Sequence, residues 1–221
     1  MGKHHATMQL LIQPDAGRDA VAKLIGSTSR TLLLKIYSLT DEALVDALLE
    51  AGKRRVAVRV MLNSERADHS RDNDVAAARL KDFGIEVRWG SPRLAATHEK
   101  SLVLDGERAL VASFNFGPKY FEATRDFGIV TRDPAQVAEI AACFEADWEE
   151  RTFEPSGTTG LLWAPGTARR QVAAAMAGAR KTIHLQHAKL VDTTVLLELL
   201  TAVRRGVKVR FLCAGGHGLH S

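Results

Sequence analysis

Short apolar runs alternate with amphipathic stretches along this chain. Residues 16–29 carry helical spacing, and TLLLKIYS (31–38) reads as a buried strand. Asp41 caps a predicted helix running to about Lys53, and VAVRVML (56–62) is a second buried strand. The polar stretch 64–74 leads into a helix carrying Val75 and Phe83, which Gly84 ends, and IEVRW is a short strand after it. After Ser91-Pro92 comes a predicted β-hairpin: SLVL, the turn signal Asp105-Gly106, then ALVASF. GPKYFEATR (117–125) is read as a loop with exposed aromatics, FGIVT as a strand. Asp133-Pro134 opens a helix whose stripe is Val137, Ile140, Phe144 and Trp148. Helices alternating with short apolar strands predict an α/β layer fold.

A repeat underlies this order. At a constant offset of 151, residues 10–62 match 161–213 without gaps at 17 of 53 positions, with Pro14 on Pro165 and Asp41 on Asp192. The repeat sets the domain boundaries: a first lobe at 8–153, a linker at 154–160 (EPSGTTG), and a second lobe at 161–221 begun as strand-helix-strand-helix-strand. A counterpart of His98 would fall past Ser221, so the second copy is incomplete, with a marginal core.

The chemistry gathers on the hairpin. A two-residue loop sets Ser113 opposite His98, and a four-residue loop sets Asn115 there. Either puts His98, Lys100, Ser113 and Asn115 on one face, whereas a three-residue loop turns one set over. An imidazole, an ammonium and a carboxamide together suit a phosphodiester; the plain alternative is a hairpin with a wet polar edge.

Composition narrows the setting without naming a partner. The 221 residues are 46% hydrophobic and 25% charged, and a net charge of +4 from 30 basic and 26 acidic groups fits a solvated mixed surface. Cys143 and Cys213 have no metal or redox spacing. His184-x-x-His187 and His217-x-x-His220 lack the further ligands that zinc requires. His187-Ala188-Lys189 mimics H-x-K, but the repeat maps His187 onto Ile36 in a core strand. There is no apolar run of 18 residues, and the start is too short for a signal peptide, so the expected setting is cytoplasmic. His4-His5 reads as a tag remnant.

His98-x-Lys100-x4-Asp105, with Asn115 ten residues on, resembles the HKD signature of the phospholipase D superfamily. Ser113-Phe114-Asn115-Phe116 is similar to the segment after that signature, and Asp126 to the acidic position beyond it. The resemblance implies a mixed sheet flanked by helices, two lobes meeting at one site, and chemistry through a phosphohistidine with no cofactor or metal. It makes His98 the nucleophile or acid, Lys100 and Asn115 holders of phosphoryl oxygens, and Asp126 the acceptor for the far ring nitrogen of His98. Asp105 belongs to the motif but falls at the turn, where it is expected to shape the hairpin. Ser113, Phe116 and Tyr120 are candidate substrate contacts. The implied partner is a phosphodiester substrate, phospholipid ahead of nucleic acid, with contact at a membrane surface; apolar walls at Phe114, Phe116, Tyr120 and Phe121 favour lipid. A nuclease and a non-catalytic binding module are the rival readings. The missing second motif would come from a longer chain or from a homodimer, the former favoured.

Overall fold

The computed structural model describes residues 8–65 and 69–213, so His4-His5, His217-x-x-His220 and part of the 64–74 loop lie outside the described residues. The chain divides into two compact units, Met1–Thr159 and Gly160–Ser221.

Unit 1 holds a seven-stranded sheet in the order β1-β7-β6-β5-β2-β3-β4. Its strands are β1 (Met8–Ile12), β2 (Thr31–Ile36), β3 (Ala57–Leu62), β4 (Glu86–Trp89), β5 (Lys100–Leu104), β6 (Arg108–Ala112) and β7 (Phe127–Thr131). The β2–β3 and β3–β4 pairs are parallel, and the rest are antiparallel. The parallel half needs crossover helices, supplied by α2 (Glu42–Lys53) and α3 (Asp74–Asp82); α1 (Gly17–Gly26) links β1 to β2. α5 (Pro134–Trp148) buries Val137, Ile140 and Phe144, the stripe predicted from spacing. This is the expected mixed sheet flanked by helices.

The central strand β2 is buried from Leu32 to Ile36, Lys35 included. Side chains two apart share a face, so Leu32, Leu34 and Ile36 join Leu102, Leu104 and Leu110 in the main core with helices α1 and α2. The alternate positions, Lys35 and Ser101, face the other way. Lys35 reaches Cys143 and Asp147 on α5 there.

Three expectations need correction in unit 1. Leu104 pairs with Arg108, so the hairpin loop has three residues, Asp105, Gly106 and Glu107, neither two nor four. Asp105 and Gly106 both take positive φ (56° and 66°), tightening a turn that the sequence marked without fixing its length. Residues 118–122 form a short helix, α4 (Pro118–Glu122), started by Pro118 at its first turn. Phe121 turns inward from it to an edge contact with Phe114, centroids 5.8 Å apart, and both are buried.

Unit 2 holds α6 (Ala168–Ala177), β8 (Thr182–Gln186), α7 (Thr193–Arg204) and β9 (Lys208–Leu212), with β8 and β9 parallel. The first strand expected for this lobe does not form. Its unit 1 counterpart, β1, is held by antiparallel pairing with β7, and the described part of unit 2 has no such partner.

Candidate active site

The site develops where β2 and β3 end and β5 begins. Asn63, just past β3, accepts from the backbone N–H of Thr97 at 2.9 Å, fixing the approach to His98. Asn73 donates to the carbonyls of Asn63 (2.8 Å) and Tyr37 (2.9 Å) and accepts from the N–H of Leu39 (2.8 Å). Two buried amides thus tie the exits of β2 and β3 to the strand that carries the motif. Neither residue was singled out from sequence, although Asn at strand ends is a known way to satisfy loop backbone.

Tyr37, directly after β2, is the other residue that sequence missed. Its ring lies 4.9 Å from that of His98, and the Lys100 ammonium stands 5.3 Å from its centroid. Lys100 is buried, shares the face of Leu102, and donates to the carbonyl of His98. Burial, with the charges of Asp126 and Glu99 working against it, lowers the Lys100 pKa to about 8. Partial burial of the ring and the Lys100 charge lower the pKa of His98, which still reaches solvent, from its ordinary 6.5, so the ring is neutral at pH 7.

The charge of Asp126 bears on Lys100, and its carboxylate is bonded away from His98. Its carboxylate accepts from Ser113 Oγ (2.8 Å) and Thr124 Oγ1 (2.6 Å), and among the described residues no hydrogen bond joins it to His98. Ser113, whose Oγ also accepts from the N–H of Phe127 at 3.0 Å, is therefore part of the mount for Asp126. Asn115 is buried; its Nδ2 donates to the Tyr120 hydroxyl at 3.0 Å and its Oδ1 has no partner among the described residues. The segment around it runs beside the end of β2, with Phe116 N–H donating to Ser38 O at 3.0 Å. This bend after β6 brings Asn115 beside the β2 exit without the hairpin register that sequence required.

Two motif residues stand elsewhere. Asp105, at the opposite end of β5, accepts from the backbone N–H groups of Ser29, Arg30 and Thr31, and those bonds lower its pKa although burial would raise it. It fastens the turn to the start of β2 and is no member of the site. Phe116 is 1% exposed and packs with Phe114 and Phe121, so it cannot touch substrate, and the apolar walls expected of these aromatics are interior packing.

His98 opens onto a cleft of about 1210 Å³ at the carboxyl ends of the parallel strands, lined also by Tyr37, Arg71, Arg88, Trp89 and Thr97. One group of potential metal ligands occurs among the described residues, Glu99, Cys143 and Asp147, and the Lys35 ammonium hydrogen-bonds to all three. No described helix is long and apolar enough to cross a membrane.

Residues 21–148, more than half of the chain, match the family described as "Cardiolipin synthase, PLD-like domain". The chain belongs to the phospholipase D-like family. It is similar to the mitochondrial cardiolipin hydrolase of Chlamydomonas reinhardtii, 28% identical over 125 residues, 57% of this chain and 54% of that protein. It is similar also to the polyphosphate kinase of Vibrio cholerae, 28% identical over 203 residues, 84% of this chain and 28% of that protein. This phospholipase D-like chain thus spans about half of the first relative and about a quarter of the second. Nuc, a phospholipase D family member from Salmonella typhimurium, shares its fold with TM-score 0.59 and 24% identity, over 67% of this chain and 98% of that one.

Proposed function

We propose that this chain performs phosphodiester chemistry through His98 as nucleophile, on phospholipid head groups. The observation that carries the reading is the pairing of an exposed, neutral imidazole with a buried ammonium two residues on. The imidazole lone pair forms the N–P bond as the P–O bond to the leaving group breaks, and water or an alcohol then takes the phosphoryl group from the ring. Lys100 meets the charge on the non-bridging oxygens. The choice of lipid is supported by the family's description and by the name of the algal relative.

The leaving oxygen needs a proton, and a second histidine motif, brought by a second copy or a further lobe, is the proposed donor. Mixing wild-type chain with a His98→Asn chain under subunit exchange separates the cases. Loss as the square of the wild-type fraction means a shared site, linear loss means chains acting alone, and no activity at any ratio means a lobe must be added.

Cardiolipin vesicles, a single-stranded oligonucleotide and bis-p-nitrophenyl phosphate, each with and without EDTA, test the reaction. The expected result is EDTA-resistant turnover of the diester and the lipid, with an acid-labile phosphoenzyme absent from His98→Asn. Turnover of the oligonucleotide alone would overturn the lipid assignment; undiminished turnover by His98→Asn would overturn the mechanism. The rate should rise as His98 loses its proton below pH 6.5 and fall as Lys100 loses its own near about 8.

A further inference from the structure

Between His98 and Lys100 stands a carboxylate pointing the other way. Glu99 Oε2 accepts from Lys35 Nζ at 3.0 Å, and Glu99 Oε1 from Ser101 Oγ at 2.5 Å. Lys35 sits in the central strand, 1% exposed, and donates also to Asp147 Oδ2 at 2.6 Å in the last turn of α5. Burial would drive the proton off Lys35, but the Glu99 and Asp147 carboxylates outweigh it and raise the pKa; the Cys143 thiol is itself pushed up to about 12, chiefly by burial. The cluster is therefore an ammonium held by two carboxylates beside a neutral thiol.

We propose that Glu99 is a positioning residue for Lys100 and His98, acting from the opposite face of the sheet through a buried ion triad with Lys35 and Asp147. The inference rests on the roles given above to His98 and Lys100.

Its mechanical part comes from the ladder. Lys35 pairs with Ser101 and Ile36 with Lys100, so the strand gripping Glu99 from behind is also the one whose next residue lies opposite Lys100. Side chains alternate across a strand, so pinning Glu99 and Ser101 toward α5 sets the roll of the segment and turns Lys100 to the face of Tyr37. Stability alone does not call for this arrangement, since well-packed apolar side chains commonly do as well as buried ions.

Its electrostatic part is separable. The groups on the face of Lys100 are His98, Tyr37 and Asp126; the charges of Asp126 and, from the other face, Glu99 keep the proton on the buried ammonium. Asp147 shares the triad but not that influence. Glu99→Gln and Asp147→Asn each remove one carboxylate from Lys35, so a purely structural triad responds alike to both.

The experiment tracks the Lys100 13Cε resonance against pH in lysine-labelled protein, assigned by its loss in Lys100→Met, with thermal midpoints alongside. Glu99→Gln should lower the Lys100 titration midpoint by about 0.5 to 1 unit, with the alkaline limb of the rate profile moving equally. Asp147→Asn should lower the thermal midpoint comparably but leave the Lys100 titration in place. If Glu99→Gln does not fold, Lys35→Met/Glu99→Gln/Asp147→Asn, which leaves no ion unpaired, should give the same downward shift. Equal shifts in Glu99→Gln and Asp147→Asn, or none in either, would overturn the inference. The titration needs no turnover: a shift in protein without phosphodiester activity supports the positioning and removes the proposed reaction, and activity without a shift does the reverse.

Discussion

Unit 1 and unit 2 make the same local bonds in different surroundings. Arg18 pairs with the cap residue Asp41 at 2.7 Å, and Arg169 with the cap residue Asp192 at 2.8 Å. Arg54 donates to the carbonyls of Ile25 and Thr28; Arg205 donates to those of Met176 and Ala179. Thr31 pairs with Ala57 and Thr182 with Lys208, one register at an offset of 151. Burial differs nonetheless. Met61 is 1% exposed and its counterpart Leu212 62%; Val60 is 0% exposed and Phe211 41%. Caps, register and arginine clamps are thus written in the repeated segment itself. Burial and chemistry come from the later elements of unit 1: the hairpin, β7 and α5.

The sharpest way to break this comparison is to remove the two H-x-K histidines in turn. His98→Asn should cut turnover by at least about 10³-fold without unfolding the chain. His187, whose ring nitrogen accepts from the N–H of Lys189 in a local turn, is exposed, and His187→Asn should leave turnover unchanged. Equal losses would mean that unit 2 carries a site of its own.

Core truncation should separate the units next. Met61→Ala empties a packed position and should cost about 2–4 kcal/mol, whereas Leu212→Ala should cost under about 0.5. Urea unfolding together with hydrogen exchange checks both. A cost above about 1.5 kcal/mol for Leu212→Ala would mean that β9 is covered in solution.

How much of this was legible in the sequence divides in the same way. Alternation of apolar runs marked the order of most elements, and the Asp133-Pro134 signal located α5, because those features are local. The hairpin loop was misjudged because its length depends on Asp105 bonding across to Ser29, Arg30 and Thr31, a contact no local rule contains. Tyr120 and Phe121 were read as exposed loop aromatics because α4, only five residues long, depends on Phe121 finding the core. Lys35 was the overlooked signal: a lysine inside TLLLKI requires buried acceptors, and Glu99 and Asp147 are they.

A smaller effect, of opposite sign, is expected at the two H-x-K lysines. Lys100 carries its charge at a buried site with its pKa down from 10.5 to about 8, so the folded state is penalised fully below pH 8. As pH rises from 8 to 10.5 the folded state sheds the proton first and the penalty disappears. Lys100→Met should therefore stabilise the chain by about 1–3 kcal/mol at pH 7, with the gain gone above pH 10.5, while abolishing turnover. Lys189 is exposed, and Lys189→Met should leave stability unchanged.

The finest test concerns the bonds that the units share. Asp41 is buried, caps α2 through the N–H of Leu44 at 3.1 Å, and holds an arginine that is itself two-thirds covered. Asp192 caps α7 through the N–H of Val195 at 3.2 Å, but its arginine is 70% exposed, so solvent weakens the ion pair. Loss of either cap should cost about 1 kcal/mol, and Asp41→Ala should cost about 1 more, because Arg18 loses its buried partner and keeps only the exposed Glu122 at 3.4 Å. Amide exchange in α2 and α7 reads the two separately. A cost at Asp192 equal to that at Asp41 would mean that unit 2 is shielded from water, and the contrast in burial between the units would not describe the protein in solution.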